Sequence, residues 1–175
     1  MGSTPYEVVF ALLSYYLKQN ILFKSFFMSQ KQIDTSPNRP YWRFEIDQVF
    51  AARKAQMHQE AQRRGGGVAL FEDCYTGKTL RGGEDYHYEH IFSAEEIFMR
   101  YRDRLTNAQI AELVNCPENI GVTLATINRS KGKKSVGEWL ADTAKLAQLG
   151  VDPARVRAAA RRAEEGIARA FQRMR

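Results

Sequence analysis

Two stretches of the chain decide its predicted fold: DYHYEHI at residues 85–91 and NIGVTLATINRSKGK at residues 119–133. The first stretch is rich in aromatic residues, which favour strands. The second predicts a strand over 120–124 that leads into a helix over 126–131. Two strands followed directly by a helix form a small ββα unit, and this unit is the centre of the predicted fold.

Two short helices are predicted between the strands, over 93–104 and 106–115. Both begin at a capping box, in which a hydroxyl side chain precedes Glu or Gln by three residues. The two boxes are Ser93-x-x-Glu96 and Thr106-x-x-Gln109. We therefore expect the ββα unit to carry a helical insert over 93–116.

Helical patterns on both sides of this unit predict that helices brace it. The flanking elements are predicted helices over 4–27, 42–64, 135–149 and from Asp152 onwards, and a hairpin over 68–80. The predicted fold class is α+β, mainly helical, with a small ββα finger. Its regions are an N-terminal helical region (1–64), the ββα core with its insert (65–135) and basic C-terminal helices (136–175).

The net charge of +6 is concentrated at the end of the chain. Residues 129–175 contain 12 Lys/Arg and 5 Asp/Glu, whereas residues 1–128 contain 14 and 15. This asymmetry indicates a polyanionic partner, nucleic acid first and an anionic membrane second, with a solvated basic helix as the alternative.

Composition also excludes several classes of protein. The most apolar stretch, residues 8–17, is about half of the roughly 20 residues that a bilayer span requires, so stable membrane insertion is not expected. Two cysteines are too few for a disulfide framework or for a cysteine-based zinc site.

The two deciding stretches also contain the chemistry. His87 and His90, two of the three histidines, flank the carboxylate Glu89, and Asn119 and Asn128 lie nine residues apart before a basic run. Hydrolysis of a phosphodiester needs a base that activates water, a cation at the leaving oxygen and groups that hold the backbone. Each residue taken singly also has a structural explanation, as a strand histidine, a turn, a helix cap or a solvated charge run.

Taken in order, residues 86–91 and 119–133 resemble the ββα-metal core, or His-Me finger, of HNH endonucleases. That family has a strand ending in Asp-His-Ile, a second strand that begins with Asn, and a helix that bears Asn or His followed by basic residues. The resemblance covers about residues 68–135.

The resemblance implies a role for each matching residue. His90 would be the general base, and Asn119 would brace the loop that orients it. Glu89 would stand in place of the family's metal-binding Asp, and Asn128 would be the second metal ligand. The residues expected to contact phosphate are Arg129, Lys131, Lys133 and Lys134.

The chain departs from the family pattern in three ways. Glu89 is one methylene longer than Asp, and in a regular strand Glu89 and His90 point to opposite faces. Either the strand ends or distorts there, or His87, on the same face as Glu89, is a metal ligand as well. Paired CxxC motifs, which hold many fingers together through zinc, are missing, so flanking helices are expected to replace them.

The implied activity is metal-dependent hydrolysis of DNA, with Mg²⁺ as the expected cofactor and Mn²⁺, Zn²⁺ or Ni²⁺ as alternatives. Residues 89–96, 128–132 and 138–140 are similar to HNH toxin domains of bacterial polymorphic toxins. That similarity implies an acidic immunity protein as partner and a cytoplasmic site of action, reached by delivery into a target cell. A restriction or phage-defence nuclease and a non-catalytic nucleic-acid-binding module are the alternatives.

Overall fold

The structure, a computed structural model, describes residues 39–174. The helix expected over residues 4–27 lies outside the described residues. Within them the chain forms helices, one 3₁₀ turn and two separate two-stranded antiparallel sheets. The elements are α1 (Arg43–Arg64), β1 (Leu70–Glu72), β2 (Thr79–Arg81), β3 (Tyr86–His90), α2 (Ala94–Tyr101), α3 (Asn107–Val114), the 3₁₀ turn (Pro117–Asn119), β4 (Ile120–Leu124), α4 (Ala125–Lys131), α5 (Val136–Ala141), α6 (Thr143–Leu149) and α7 (Pro153–Arg173).

The predicted ββα unit consists of β3, β4 and α4. The two strands pair without interruption, from Tyr86 opposite Leu124 to His90 opposite Ile120. α4 begins at the residue that follows β4. The predicted fold class, α+β and mainly helical with a small ββα region, is confirmed. β3 pairs regularly through His90 and ends at that residue, so both alternatives for residues 89 and 90 stay open.

The two insert helices begin where the capping boxes predicted. The Ser93 hydroxyl accepts a hydrogen bond from the Glu96 amide, and Thr106 and Gln109 form both bonds of their box. α2 ends at Tyr101, three residues before the predicted end. These caps satisfy backbone N–H groups that a helix start would otherwise leave unpaired.

The single helix predicted over 135–149 is wrong, because the structure divides it into α5 and α6 at Asp142. The backbone of Asp142 has φ −86° and ψ 66°, outside the helical range. Its carboxylate accepts a hydrogen bond from the Lys145 amide and so caps a new helix. A residue that interrupts one helix and caps the next does not disturb the apolar periodicity from which the single helix was predicted.

Helix α7 connects the two larger cores of the described residues. Ile167 packs with Ile46 of α1, Phe98 of α2 and Ile110 of α3 in one core. Nearer its start, α7 packs in a second core against α4 and α5. The residues of this core include Val156, Ala159 and Ala163 of α7, Ile127 of α4 and Trp139 of α5. A third, smaller core joins β1 and β2 to β4. The expectation that helices brace the ββα unit therefore has a specific form, in which α7 packs behind both the insert and α4.

α7 approaches the 3₁₀ turn closely at Gly166. A Cβ at that position would lie 2.5 Å from the Cβ of Glu118, in the 3₁₀ turn that leads into β4.

Among residues 39–174, no helix is both long enough and apolar enough to cross a bilayer.

Candidate active site

A cleft of about 510 Å³ lies at the end of β3, between α1 and α4. Five of the predicted site residues line it: Glu89, His90, Asn128, Lys131 and Lys133. Aromatic and basic side chains before and within β3 also line it, namely Tyr41, Arg43, Phe50 and Tyr88. The remaining lining residues are Ser93, Ala94, Glu95 and Gly132. The predicted residues that do not line it are His87, Asn119, Arg129 and Lys134.

Residues 89 and 90 leave β3 on opposite faces, as the regular strand requires. Glu89 contacts Lys131 of α4, whereas His90 contacts Phe50 of α1 and Asn115 at the end of α3. Both reach the same cleft because His90 is the last residue of the strand.

Glu89 and Lys131 form a buried ion pair. Lys131 Nζ lies 3.3 Å from Glu89 Oε2, and the two side chains are only 5% and 4% exposed. Lys131 also donates to the backbone carbonyl of His90 at 3.0 Å. Burial raises the pKa of Glu89, and the nearby ammonium of Lys131 acts against that rise. Lys131 is thus a fixed charge inside the site, whereas Lys133 and Lys134 are exposed.

The second oxygen of Glu89 has no hydrogen-bond partner among the described residues. Glu89 Oε1 and the hydroxyl of Tyr75 are both buried, and neither makes a well-formed hydrogen bond with a described residue. The Tyr75 hydroxyl nevertheless lies close enough to Glu89 for hydrogen bonding to lower the pKa of that carboxyl. The two groups are neighbours: burial raises the pKa of Tyr75 well above its usual value, and the negative charge of Glu89 raises it further. A buried carboxylate oxygen without a well-formed hydrogen bond is costly to a fold, and either the neighbouring Tyr75 hydroxyl or a bound group can satisfy it.

Asn128 and His87 contact each other across α4 and β3. Asn128 Nδ2 lies 3.0 Å from His87 Nδ1, and the amide oxygen Oδ1 accepts no hydrogen bond from a described residue. His87 faces α4, as Glu89 does, but its ring nitrogen is engaged by the amide of Asn128. With His87 Nδ1 as the acceptor of this bond, the amide oxygen of Asn128 is left free.

His90 is held by two neighbours. Its ring lies 4.2 Å from the Phe50 ring, centroid to centroid, and Nε2 lies 2.8 Å from Asn115 Oδ1. Burial lowers the pKa of His90 to about 4, so the imidazole is neutral at pH 7. A neutral imidazole is the form that can accept a proton.

Asn119 holds together the segment that follows His90. Its side-chain oxygen accepts from the Phe92 amide at 2.8 Å, and its Nδ2 donates to the carbonyls of Phe92 and Val114. Its own carbonyl accepts from the Ile91 amide at 2.8 Å. The residue is fully buried. These bonds fix the backbone on the C-terminal side of His90.

The donors present fit a hard divalent cation better than zinc. Among residues 39–174, no three side chains of His, Cys, Asp or Glu are grouped so that they could hold a metal. The unpaired oxygens of Glu89 and Asn128 both belong to residues that line the cleft. One carboxylate oxygen, one amide oxygen, water and substrate phosphate are the mixture of ligands that Mg²⁺ takes in phosphate-processing sites. Lys131 competes for Glu89, so such a cation would be held weakly in the absence of substrate.

Basic residues extend outside the cleft with different degrees of pairing. Arg129 lies 3.5 Å from Asp85, and in α7 Arg155 and Arg169 pair with Glu72 and Glu118. Within the described chain no ion pair engages the α7 residues Arg157, Arg161 and Arg162. Part of the positive charge of α7 therefore braces the fold, and part is free for an anionic partner.

Sequence reasoning missed the residues that contact Glu89 and His90 from other parts of the fold, among them Phe50, Tyr75 and Asn115. Asn115 was predicted only as the last residue of a helix, and nothing in its neighbouring sequence indicates a contact with His90.

No family model, curated protein or solved structure matches this chain.

Proposed function

We propose that the protein is a metal-dependent endonuclease of the HNH type that hydrolyses phosphodiester bonds of DNA. One observation carries the proposal: a single cleft holds a neutral imidazole, a buried carboxylate with an unpaired oxygen and an amide with a free oxygen. Lysines line the same cleft. A base, oxygen ligands for a hard cation and phosphate-binding charges are the three components that this hydrolysis requires.

In this proposal His90 accepts the proton of the attacking water, because its imidazole is neutral at pH 7 and lines the cleft. Glu89 and Asn128 would hold the divalent cation, which when bound would supply positive charge for the leaving oxygen. His87 orients the amide of Asn128 through their 3.0 Å contact. Lys133, exposed at the rim, binds backbone phosphate.

The direct test is cleavage of supercoiled plasmid DNA by the purified protein. We expect nicked or linear product with Mg²⁺ or Mn²⁺ and none after addition of EDTA. Cleavage that persists in EDTA contradicts the assignment of the cation, and the absence of cleavage with every divalent ion contradicts the proposal.

A non-catalytic nucleic-acid-binding module is the second candidate, and the pairing of Glu89 with Lys131 favours it. An internal ammonium already neutralises most of the charge that a cation would bind. The two candidates differ in one measurement. A binding module retains DNA in a mobility-shift assay without cleaving it, and Mg²⁺ does not change its affinity.

The proposed setting is an interbacterial toxin that acts in the cytoplasm of a target cell. Its neutralising partner is an acidic protein, because the free arginines of α7 and the basic rim of the cleft complement negative charge. A small acidic protein encoded beside this chain that binds it and stops DNA cleavage supports this setting. A methyltransferase or defence operon at that place supports the restriction or phage-defence setting.

A further inference from the structure

We propose that Asn115 is a positioning residue that keeps the hydrogen of His90 on Nε2, so that Nδ1 is the nitrogen that accepts the proton of water. The part of this inference that concerns catalysis rests on the proposed nuclease function. The part that concerns the imidazole stands on hydrogen bonds alone.

The first step is the orientation of the Asn115 amide. Asn115 is fully buried, and its Nδ2 donates to the carbonyls of Ile46 at 3.1 Å and Ala111 at 2.8 Å. Carbonyl oxygens only accept hydrogen bonds. The opposite orientation would place Oδ1 against both carbonyls and lose both bonds, so Oδ1 must be the atom that faces His90.

The second step is the position of the hydrogen on His90. Asn115 Oδ1 lies 2.8 Å from His90 Nε2 and can only accept, so Nε2 must carry the hydrogen. In a neutral imidazole the other nitrogen is then unprotonated. No described residue forms a hydrogen bond with His90 Nδ1, and His90 lines the cleft. The free lone pair is therefore on Nδ1.

The third step is the rigidity of this arrangement. The Phe50 ring packs against the imidazole at 4.2 Å, and Lys131 holds the backbone carbonyl of His90. The carbonyls that orient Asn115 belong to α1 and α3, outside the ββα unit. The helical insert thus has a role beyond packing: it supplies the amide that sets the chemistry of the imidazole.

The test is a long-range ¹H–¹⁵N correlation spectrum of ¹⁵N-labelled protein at neutral pH in EDTA. The chain has only His58, His87 and His90, so their signals can be assigned with one His→Gln variant each. We expect the spectrum to place the His90 hydrogen on Nε2. The ¹⁵N chemical shift of Nδ1 should be typical of an unprotonated nitrogen. A hydrogen on Nδ1, or a mixture of both tautomers, overturns the proposal.

Two variants connect the tautomer to activity. Asn115→Gln keeps an acceptor for Nε2 and amide donors for the two carbonyls, and should keep the tautomer. Asn115→Ala removes the acceptor and should give mixed tautomers, with kcat for DNA cleavage lower by about 10- to 100-fold and KM nearly unchanged. A merely structural Asn115 would leave the tautomer unchanged in the Ala variant, which contradicts the proposal.

The outcomes separate this inference from the proposed function. A wild-type protein that shows the Nε2 tautomer but cleaves no DNA contradicts the nuclease function and leaves the role of Asn115 in fixing the imidazole intact. Active wild-type protein with the Nδ1 tautomer contradicts the role of Asn115 alone. Should neither Asn115 variant fold, the wild-type spectrum still decides the tautomer.

Discussion

Among single residues, Glu89 and Lys131 carry the largest electrostatic consequence, because both charges are buried together. Removing one partner leaves the other uncompensated, at a cost of about 3 kcal/mol. We therefore expect Glu89→Gln and Lys131→Met each to lower the free energy of unfolding by about that amount. Urea denaturation of both variants measures the loss.

The double variant provides the control for this pair. Glu89→Gln combined with Lys131→Met leaves no unpaired charge, so we expect it to be more stable than either single variant. Free energies that simply add would show that the two side chains do not interact, contrary to the 3.3 Å contact.

His90 makes stability depend on pH. Its pKa is about 4 in the folded protein and about 6.5 in the unfolded chain, so between these values the unfolded state binds more protons. The stabilisation is present above pH 6.5 and is lost as the pH falls towards 4, by about 3 kcal/mol in total. We expect the His90→Gln variant to lose this slope in urea denaturation between pH 7 and pH 4. The control variant His58→Gln removes a histidine of α1 and should retain this pH dependence of stability.

These residue contacts show where prediction from sequence ends. Glu89, His90, Asn119 and Asn128 could be proposed because a local pattern and a nine-residue spacing identify them. The partners that determine their chemistry lie far away in sequence: Asn115 is 25 residues from His90, and Lys131 is 42 residues from Glu89. No local pattern encodes which buried amide faces which imidazole.

Among elements, the packing of α7 on the 3₁₀ turn holds this helix against the segment that leads into β4. Gly166→Ala would place a methyl group 2.5 Å from Glu118 Cβ. Because Cβ is bonded directly to the backbone, rotation of the Glu118 side chain cannot relieve this clash. We expect a loss of about 1–3 kcal/mol, measured by thermal or urea unfolding.

Gly137→Ala is the matched control for that substitution. Gly137 is exposed in α5, and a Cβ there meets nothing within 4 Å. Alanine favours helix over glycine, so this variant should be as stable as the wild type or more stable by up to about 1 kcal/mol. Equal effects of the two substitutions would contradict the close packing of α7.

The success of prediction also differs from element to element. The helix starts at capping boxes are predicted well, because side-chain caps are local signals. The break at Asp142 was missed, since a cap inside an apolar periodic run leaves the periodicity intact. The position of α7 behind both cores depends on contacts between distant segments and could not be predicted.

In the whole molecule, we expect the basic residues concentrated after residue 128 to set the salt dependence of the proposed DNA binding. Each phosphate that a Lys or Arg neutralises adds about −0.9 to the slope of log K against log salt concentration. We expect a steep slope for duplex DNA, reduced by about 1 in Lys133→Gln. Arg53→Gln, in which the lost charge is paired with Glu112 on α3, should leave the slope unchanged. Fluorescence anisotropy from low to physiological salt measures it.

The central claim is that the cleft at the end of β3 cleaves DNA with His90 as the base. Plasmid cleavage in Mg²⁺ by wild-type protein and by folded His90→Ala, with DNA affinity measured in parallel, tests it most directly. The account predicts that cleavage falls by about 10²–10⁴-fold while DNA affinity is unchanged, because only the base is removed. Cleavage by His90→Ala at the wild-type rate would contradict it.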